Sequence, residues 1–172
     1  NSTTVNSGGS MYVNWFGTAN STTVKAGGTI NGFTLQTDNF YLEQIHISNA
    51  IVTGDATLYS GQTATNTTVN SGGSMLVHWA SANSTTVQAG GRMYVNSGTA
   101  NDTTVNDGGC MNVNSGTAND TTVNDGGSMN VDSYGTANST TINSGGSMTV
   151  NRNGTANSTT VNSGGSMTVQ YD

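Results

Sequence analysis

The sequence predicts an all-β fold, a right-handed parallel β-solenoid (β-helix) of about nine 18–19-residue coils with one inserted loop or hairpin. Three observations carry that prediction. The chain repeats at a nearly fixed length, a Gly-Gly pair follows every Thr-Thr-Val or Thr-Thr-Ile, and apolar residues keep to a few slots. Repeats of this period are the signature of solenoids, whose units are too small to bury a face alone and do so by stacking.

The repeat is anchored on the branched residue that closes each Thr-Thr-Val or Thr-Thr-Ile: Val5, Val24, Val69, Val87, Val105, Val123, Ile142 and Val161. Successive anchors lie 19, 45, 18, 18, 18, 19 and 19 residues apart. Three residues beyond each anchor comes Gly-Gly, as in Gly8-Gly9 and Gly164-Gly165. Six beyond it stand Met11, Ile30, Met75, Met93, Met111, Met129, Met148 and Met167, so all seven methionines share one slot. Eight beyond it is Val in every unit but the second, which has Gly32.

Alternation over runs such as Ser-Thr-Thr-Val and Ser-Met-Thr-Val marks short strands with one face inward. It points Thr3 and Val5 of the first unit to the inside and gives inner columns of Thr, Val, Met and Val. Gly-Gly supplies the positive φ of a sharp corner. Helix is opposed by glycine pairs and β-branched residues in every repeat.

The 45-residue gap hides a further coil. Val52 serves as its anchor, Ala56 and Leu58 stand in for Met and Val, and its Gly-Gly corner is two residues short. Nine extra residues then remain between Ile30 and Ile51. The expected organisation is one domain over 1–172, with repeat coils over 1–32 and 50–172 and an insertion over 33–49. Nine rungs at about 4.8 Å make a stack about 40 Å long. The chain starts in mid-repeat at Asn1, which is expected of a fragment of something longer.

Composition narrows the function. Three Lys and Arg in 172 residues, with a net charge of −6, oppose nucleic acid and anionic membranes, which need clustered cations. No apolar run approaches a spanning helix, so this segment is not expected to insert in a membrane. One cysteine, Cys110, excludes an internal disulfide framework, and its column is otherwise serine, so it reads as a substituted surface position.

Catalysis is not expected, and no cofactor is implied. The insertion holds the one glutamate, Glu43, together with His46, Phe40 and Tyr41. Glycoside cleavage needs two carboxylates at a controlled separation, and nothing in the sequence sets Glu43 against Asp38 or Asp55. His46 and His78 have no metal-ligand spacing. Asp102 and Asp120 share one slot in adjacent coils, as do Asp107 and Asp125, but a calcium-binding nonapeptide is absent and these read as substituted surface serines. No metal site is expected. Trp15 and Trp79 share a slot, and with Phe40 and Tyr41 they are candidate partner contacts, with turn packing as the equal alternative for the two tryptophans.

The strongest polar feature is a set of outward ladders. Thr4, Thr23, Thr68, Thr86, Thr104, Thr122, Thr141 and Thr160 form one. Asn-x-Thr sequons recur at Asn1, Asn20, Asn66, Asn83, Asn101, Asn119, Asn138 and Asn157. Such residues either solvate a strand surface and pair between rungs or offer a periodic array of acceptors for sugar.

Stretches such as Gly-Thr-Ala-Asn-Ser-Thr-Thr-Val-Asn-Ser-Gly-Gly-Ser-Met-Thr-Val-Asn resemble the passenger repeats of AIDA-type (TibA-like) self-associating autotransporter adhesins. The likeness covers nearly the whole chain except about 33–49. It implies a surface-displayed passenger of an outer-membrane protein that contacts host cells or its own copies. It also implies that the segment is an acceptor for a heptosyltransferase, which would place O-linked heptose on repeat serines. Matching positions are Ser10, Ser74, Ser128, Ser147 and Ser166 after Gly-Gly, and Ser21, Ser84, Ser139 and Ser158 before the Thr pair. Asp102, Asp120 and Cys110 interrupt these columns. Two other readings stand beside the adhesin. An ice-binding solenoid would use the outward Ser-x-Thr array of the Ser2 and Thr4 slots, and a structural spacer would leave activity to the rest of a longer protein.

Overall fold

The computed structural model describes residues 3–6, 8–13, 18–20, 22–24, 29–32 and 46–170, with side chains over 3–6, 8–11 and 47–170. The chain winds as a parallel β-solenoid with three strands to a coil. Two sheets of nine strands and one of eight run along the stack, and every strand pairs in parallel with its counterpart one coil away. Seven coils, from Ile51 onward, are described without a break.

One coil shows how the sequence builds all of them. Thr104–Val105 lies in the first wall, Cys110–Asn114 in the second and Thr117–Asn119 in the third. The register between coils is residue for residue. Val105 pairs with Val87 and Val123, Met111 with Met93 and Met129, and Val113 with Val95 and Val131. Each apolar slot therefore becomes a column, and all these side chains are buried.

The third wall is a correction to the sequence reading, which assigned two inward runs to a coil. Its strands from Thr99 onward read Thr-Ala-Asn, after Thr-Ala-Thr and Ser-Ala-Asn in the two coils before, and their inward residue is the alanine column Ala64, Ala82, Ala100, Ala118 and Ala137. A lone small residue between two polar ones carries little hydrophobic signal. It suffices here because the opposite columns of Met and Val fill the interior, which is narrow.

The hidden coil keeps its register as expected. Val52 pairs with Val24 and Val69, Ala56 with Ile30 and Met75, and Leu58 with Val77. The insertion, by contrast, is shorter than 33–49. His46–Ser48 is a third-wall strand, because Ile47 takes the alanine column between Ala19 and Ala64. Residues 33–45 of the insertion, with Asp38, Phe40, Tyr41 and Glu43, lie outside the described residues, as do Trp15 and Ser21. Ala56 in the methionine column leaves a small apolar cavity whose lining includes Ile47, Leu58, Ala64 and Met75.

All three corners use left-handed backbone, so glycine is the answer at only one of them. At the first corner Gly108 has φ 67°, and Gly109 N–H donates to Asn106 O at 2.8 Å. At the second, Ser97 and Ser115 have φ 56° and 53°. At the third, Asn66, Ser84, Asp102, Asp120, Ser139 and Ser158 all lie at 53–54°. Asn, Asp and other short polar residues tolerate this region better than bulky or branched ones. Coils of 19 residues put their extra residue in the second corner, as Ser133-Tyr134 and Arg152-Asn153. The walls thereby stay in step.

The inward Thr column is as the alternation predicts, but its hydroxyls are unsatisfied. Thr67, Thr85, Thr103, Thr121 and Thr140 are buried, and their Oγ1 atoms have no hydrogen-bond partner. Thr3, the first inward expectation, is exposed. A buried hydroxyl without a partner carries its full desolvation cost, and valine has the same outline without it. Thr103→Val is expected to raise the unfolding free energy by about 1 kcal/mol in urea melts. Unchanged or lower stability would mean that the hydroxyl has a partner in solution.

Candidate acceptor ladders and corners

The walls and corners present different chemistry. On the first wall, Thr68, Thr86, Thr104, Thr122, Thr141 and Thr160 face outward in register, half-buried except the last, which is exposed. Beside them the sequence reading missed a ladder of side-chain amides. Asn106 Nδ2 donates to Gln88 Oε1 at 3.1 Å, Asn124 to Asn106 at 2.9 Å, Asn143 to Asn124 at 2.8 Å and Asn162 to Asn143 at 2.8 Å. The signal was present, since these residues directly follow each anchor.

A second amide ladder runs through the sequon asparagines. Asn101 donates to Asn83 at 2.8 Å, Asn119 to Asn101 at 2.8 Å, Asn138 to Asn119 at 2.9 Å and Asn157 to Asn138 at 3.0 Å. The amide nitrogens of Asn101, Asn119, Asn138 and Asn157 each donate to the oxygen of the preceding coil, with Asn83 as the first acceptor, and each side chain except that of Asn157 is half-buried. Identical amides stacked at rung spacing are a recurrent stabiliser of parallel in-register sheets. That engagement gives these asparagines a structural role beside the acceptor role that the sequon suggests.

The serines separate into two groups by position. Ser74, Ser128 and Ser147 open second-wall strands and are half-buried. Ser128 Oγ donates to Gly109 O at 3.4 Å and Ser147 Oγ to Gly127 O at 3.5 Å. Ser10 and Ser166 hold the same slot and are exposed. Ser84, Ser139 and Ser158 sit instead on the third corner, exposed in every case. The reading also passed over Ser71, Ser144 and Ser163, which are exposed at the first corner just before Gly-Gly.

The corner placement breaks the Ser-x-Thr array. Ser84 lies on the third corner and Thr86 on the first wall. The two columns therefore belong to different elements of the coil.

Acidic residues also fall on corners. Asp102 and Asp120 take the third-corner slot of Ser84. The carboxylates of Asp107 and Asp125 occupy the space that a Cβ at Gly126 and Gly145 would need. Among the described residues no three His, Cys, Asp or Glu side chains gather as a metal site. Cys110 is half-buried, and Asn112 Nδ2 donates to its Sγ at 3.5 Å. Of the candidate aromatic contacts, Trp79 is described and projects from the second corner, with the His78 ring edge-on to it at 6.1 Å between centroids.

Residues 91–146 match the family model described as adhesin of bacterial autotransporter system, probable stalk. Among solved structures, the crystal structure of a TibC-catalysed hyper-glycosylated fragment of TibA is similar at a TM-score of 0.70. Identity is 31%, and the likeness covers 99% of this chain and 67% of that one. The chain belongs to the AIDA-type, TibA-like autotransporter adhesins. No curated protein sequence matches it.

As a segment of such an adhesin passenger, the chain has the construction of a stalk. The matched stretch coincides with coils in which every column is filled by its consensus residue type, from Met93 through Ile142. Consecutive rungs there share one hydrogen-bonded register on all three walls. A rod of this kind serves to hold surface chemistry at fixed intervals, which is a structural role.

Proposed function

We propose that this segment is a non-catalytic, surface-displayed rod that mediates cell–cell or cell–host contact, and that exposed corner serines carry O-linked sugar. The observation that carries the reading is the third-corner column, where Ser84, Ser139 and Ser158 are exposed on one edge with Asp102 and Asp120 between the first two, while the sequon amides beside them take part in a ladder, Asn83 as acceptor and Asn138 and Asn157 as donors. A TibC-like transferase, which the resemblance implies to be a heptosyltransferase, would meet these hydroxyls in one repeated backbone geometry. The strand-opening serines Ser74, Ser128 and Ser147 are the less accessible set. Contact between cells would then be multivalent, with many weak hydrogen bonds along a rigid rod summed by avidity.

Two readouts from one experiment test this. The segment is displayed on cells with and without a TibC-like transferase, its peptides are mapped by mass, and aggregation is followed against added salt. Sugar is expected on Ser84, Ser139 and Ser158 and not on Asn83, Asn101, Asn119 or Asn138. A net charge of −6 repels like copies at low salt, so aggregation is expected to rise as salt screens it. Sugar confined to the asparagines would reverse the acceptor assignment. Aggregation that fell steadily with salt would mean opposite-charge pairing in place of hydrogen-bonded ladders.

A further inference from the structure

The second corner carries side chains that neither packing nor turn chemistry calls for. Ser97 and Ser115 meet its left-handed requirement with small polar residues. Trp79 holds the same place at φ 55°, and Tyr134 lies in the longer turn of a 19-residue coil at φ 66°. Bulky residues avoid this region of backbone space, and strain retained without compensation points to function. Burial gives little here, because Trp79 is 62% exposed, with the edge of the His78 ring against it, and Tyr134 is 73% exposed. Tyr59 is exposed on the same edge one coil from Trp79.

We propose that this corner is a binding ridge for a neutral oligosaccharide, with Trp79 and Tyr134 as platforms for the faces of sugar rings. The proposal rests on the adhesin reading and names the class of ligand. Protein partners favour one contiguous apolar patch, whereas these rings are separated by the hydroxyls of Ser97 and Ser115. A pyranose has a C–H face bounded by hydroxyls, which suits an aromatic ring flanked by polar groups. Such groups stand beside Tyr134. The Asp132 carboxylate lies 3.7 Å from the Arg152 guanidinium, and Ser133 Oγ donates to Asp132 at 3.2 Å. That ion pair is balanced, while the chain as a whole carries −6, which disfavours acidic ligands. Trp79 and Tyr134 are three rungs apart, about 14 Å at about 4.8 Å per rung. A rung is close to the advance of one sugar in an extended chain, so about four rings reach from one platform to the other.

The test uses the full chain with Trp15→Phe, which leaves Trp79 as its one tryptophan. Maltotetraose, cellotetraose and chitotetraose are titrated separately, with tryptophan emission and calorimetry as readouts. At least one is expected to shift the emission saturably. Trp79→Ser and Tyr134→Ser are each expected to weaken that binding by about tenfold in calorimetry. Both should leave Tm unchanged or raise it, because serine suits the corner. No response to any of the three sugars, or unaltered binding by the double variant, would overturn the ridge. Cells displaying each chain separate the two readings. Aggregation without any saccharide response removes the ridge alone, and saccharide binding by a chain whose cells never aggregate removes cell–cell contact and leaves the ridge in place.

Discussion

Met111→Ala is expected to lower the unfolding free energy by about 3 kcal/mol. Met111 is fully buried and sits in register between Met93 and Met129. Deleting its side chain removes apolar contacts with both neighbours and leaves a hole in the middle of the column. Relaxation is limited, because the flanking methionines belong to rungs already fixed by hydrogen bonds on three walls. Urea unfolding gives the magnitude, and hydrogen exchange gives the reach. Energy in a solenoid is nearly a sum over neighbouring repeats. Protection should therefore fall in the coils of Met93 and Met129 and hold in the coil of Met148. A cost under about 1 kcal/mol would mean that the column closes over the gap.

The native molecule contains a natural version of that experiment. Ala56 stands in the methionine column, and the apolar cavity lies beside it. The sequence made this coil legible through Val52 and Leu58, because a period of known length predicts where a substitute must stand. It made the Met, Val and Thr columns legible for the same reason. The third wall was hidden, since Ala100 between Thr99 and Asn101 resembles a polar loop by composition. Burial of so small a side chain becomes visible only once Met and Val occupy the other two walls. The corners were half legible. Gly-Gly announces a turn, but Ser84 and Asp102 announce nothing until the wall on each side of them is known.

The candidate acceptors follow the same division. Ser84 and Ser128 look equivalent as members of recurring serine columns, and the structure separates them because one lies on a corner and the other opens a strand. The sequon asparagines carry two readings at once. Asn-x-Thr reads as an acceptor motif, yet the same spacing places amides above one another, where they satisfy each other. A repeat makes any outward polar residue into a ladder, and a ladder is first a structural device.

Gly109→Ala is expected to cost about 3 kcal/mol, and Gly108→Ala only about 1 kcal/mol. The two neighbours are glycine for different reasons. Gly108 has φ 67°, and a Cβ there would meet Ala89 Cα at an ordinary 3.5 Å. Its substitution incurs the conformational penalty of a left-handed residue and little more. A Cβ on Gly109 would stand 2.7 Å from Val87 O and 3.0 Å from Asn106 O. Neither carbonyl can yield cheaply. Val87 O accepts from Asn106 N–H at 2.9 Å, and Asn106 O accepts from Gly109 N–H at 2.8 Å. Making room means loosening both a rung-to-rung bond and the turn that closes the corner. Gly127 repeats the constraint one coil on, with its Cβ 2.7 Å from Val105 O, so the ordering should transfer to Gly127→Ala and Gly126→Ala. At that corner Gly126→Ala must also displace the Asp107 carboxylate, so its margin over Gly127→Ala should be smaller than that of Gly108 over Gly109. Paired thermal and urea melts of the four variants decide it. Equal losses at Gly108 and Gly109 would mean that backbone freedom, and not the space between rungs, is what the second glycine provides.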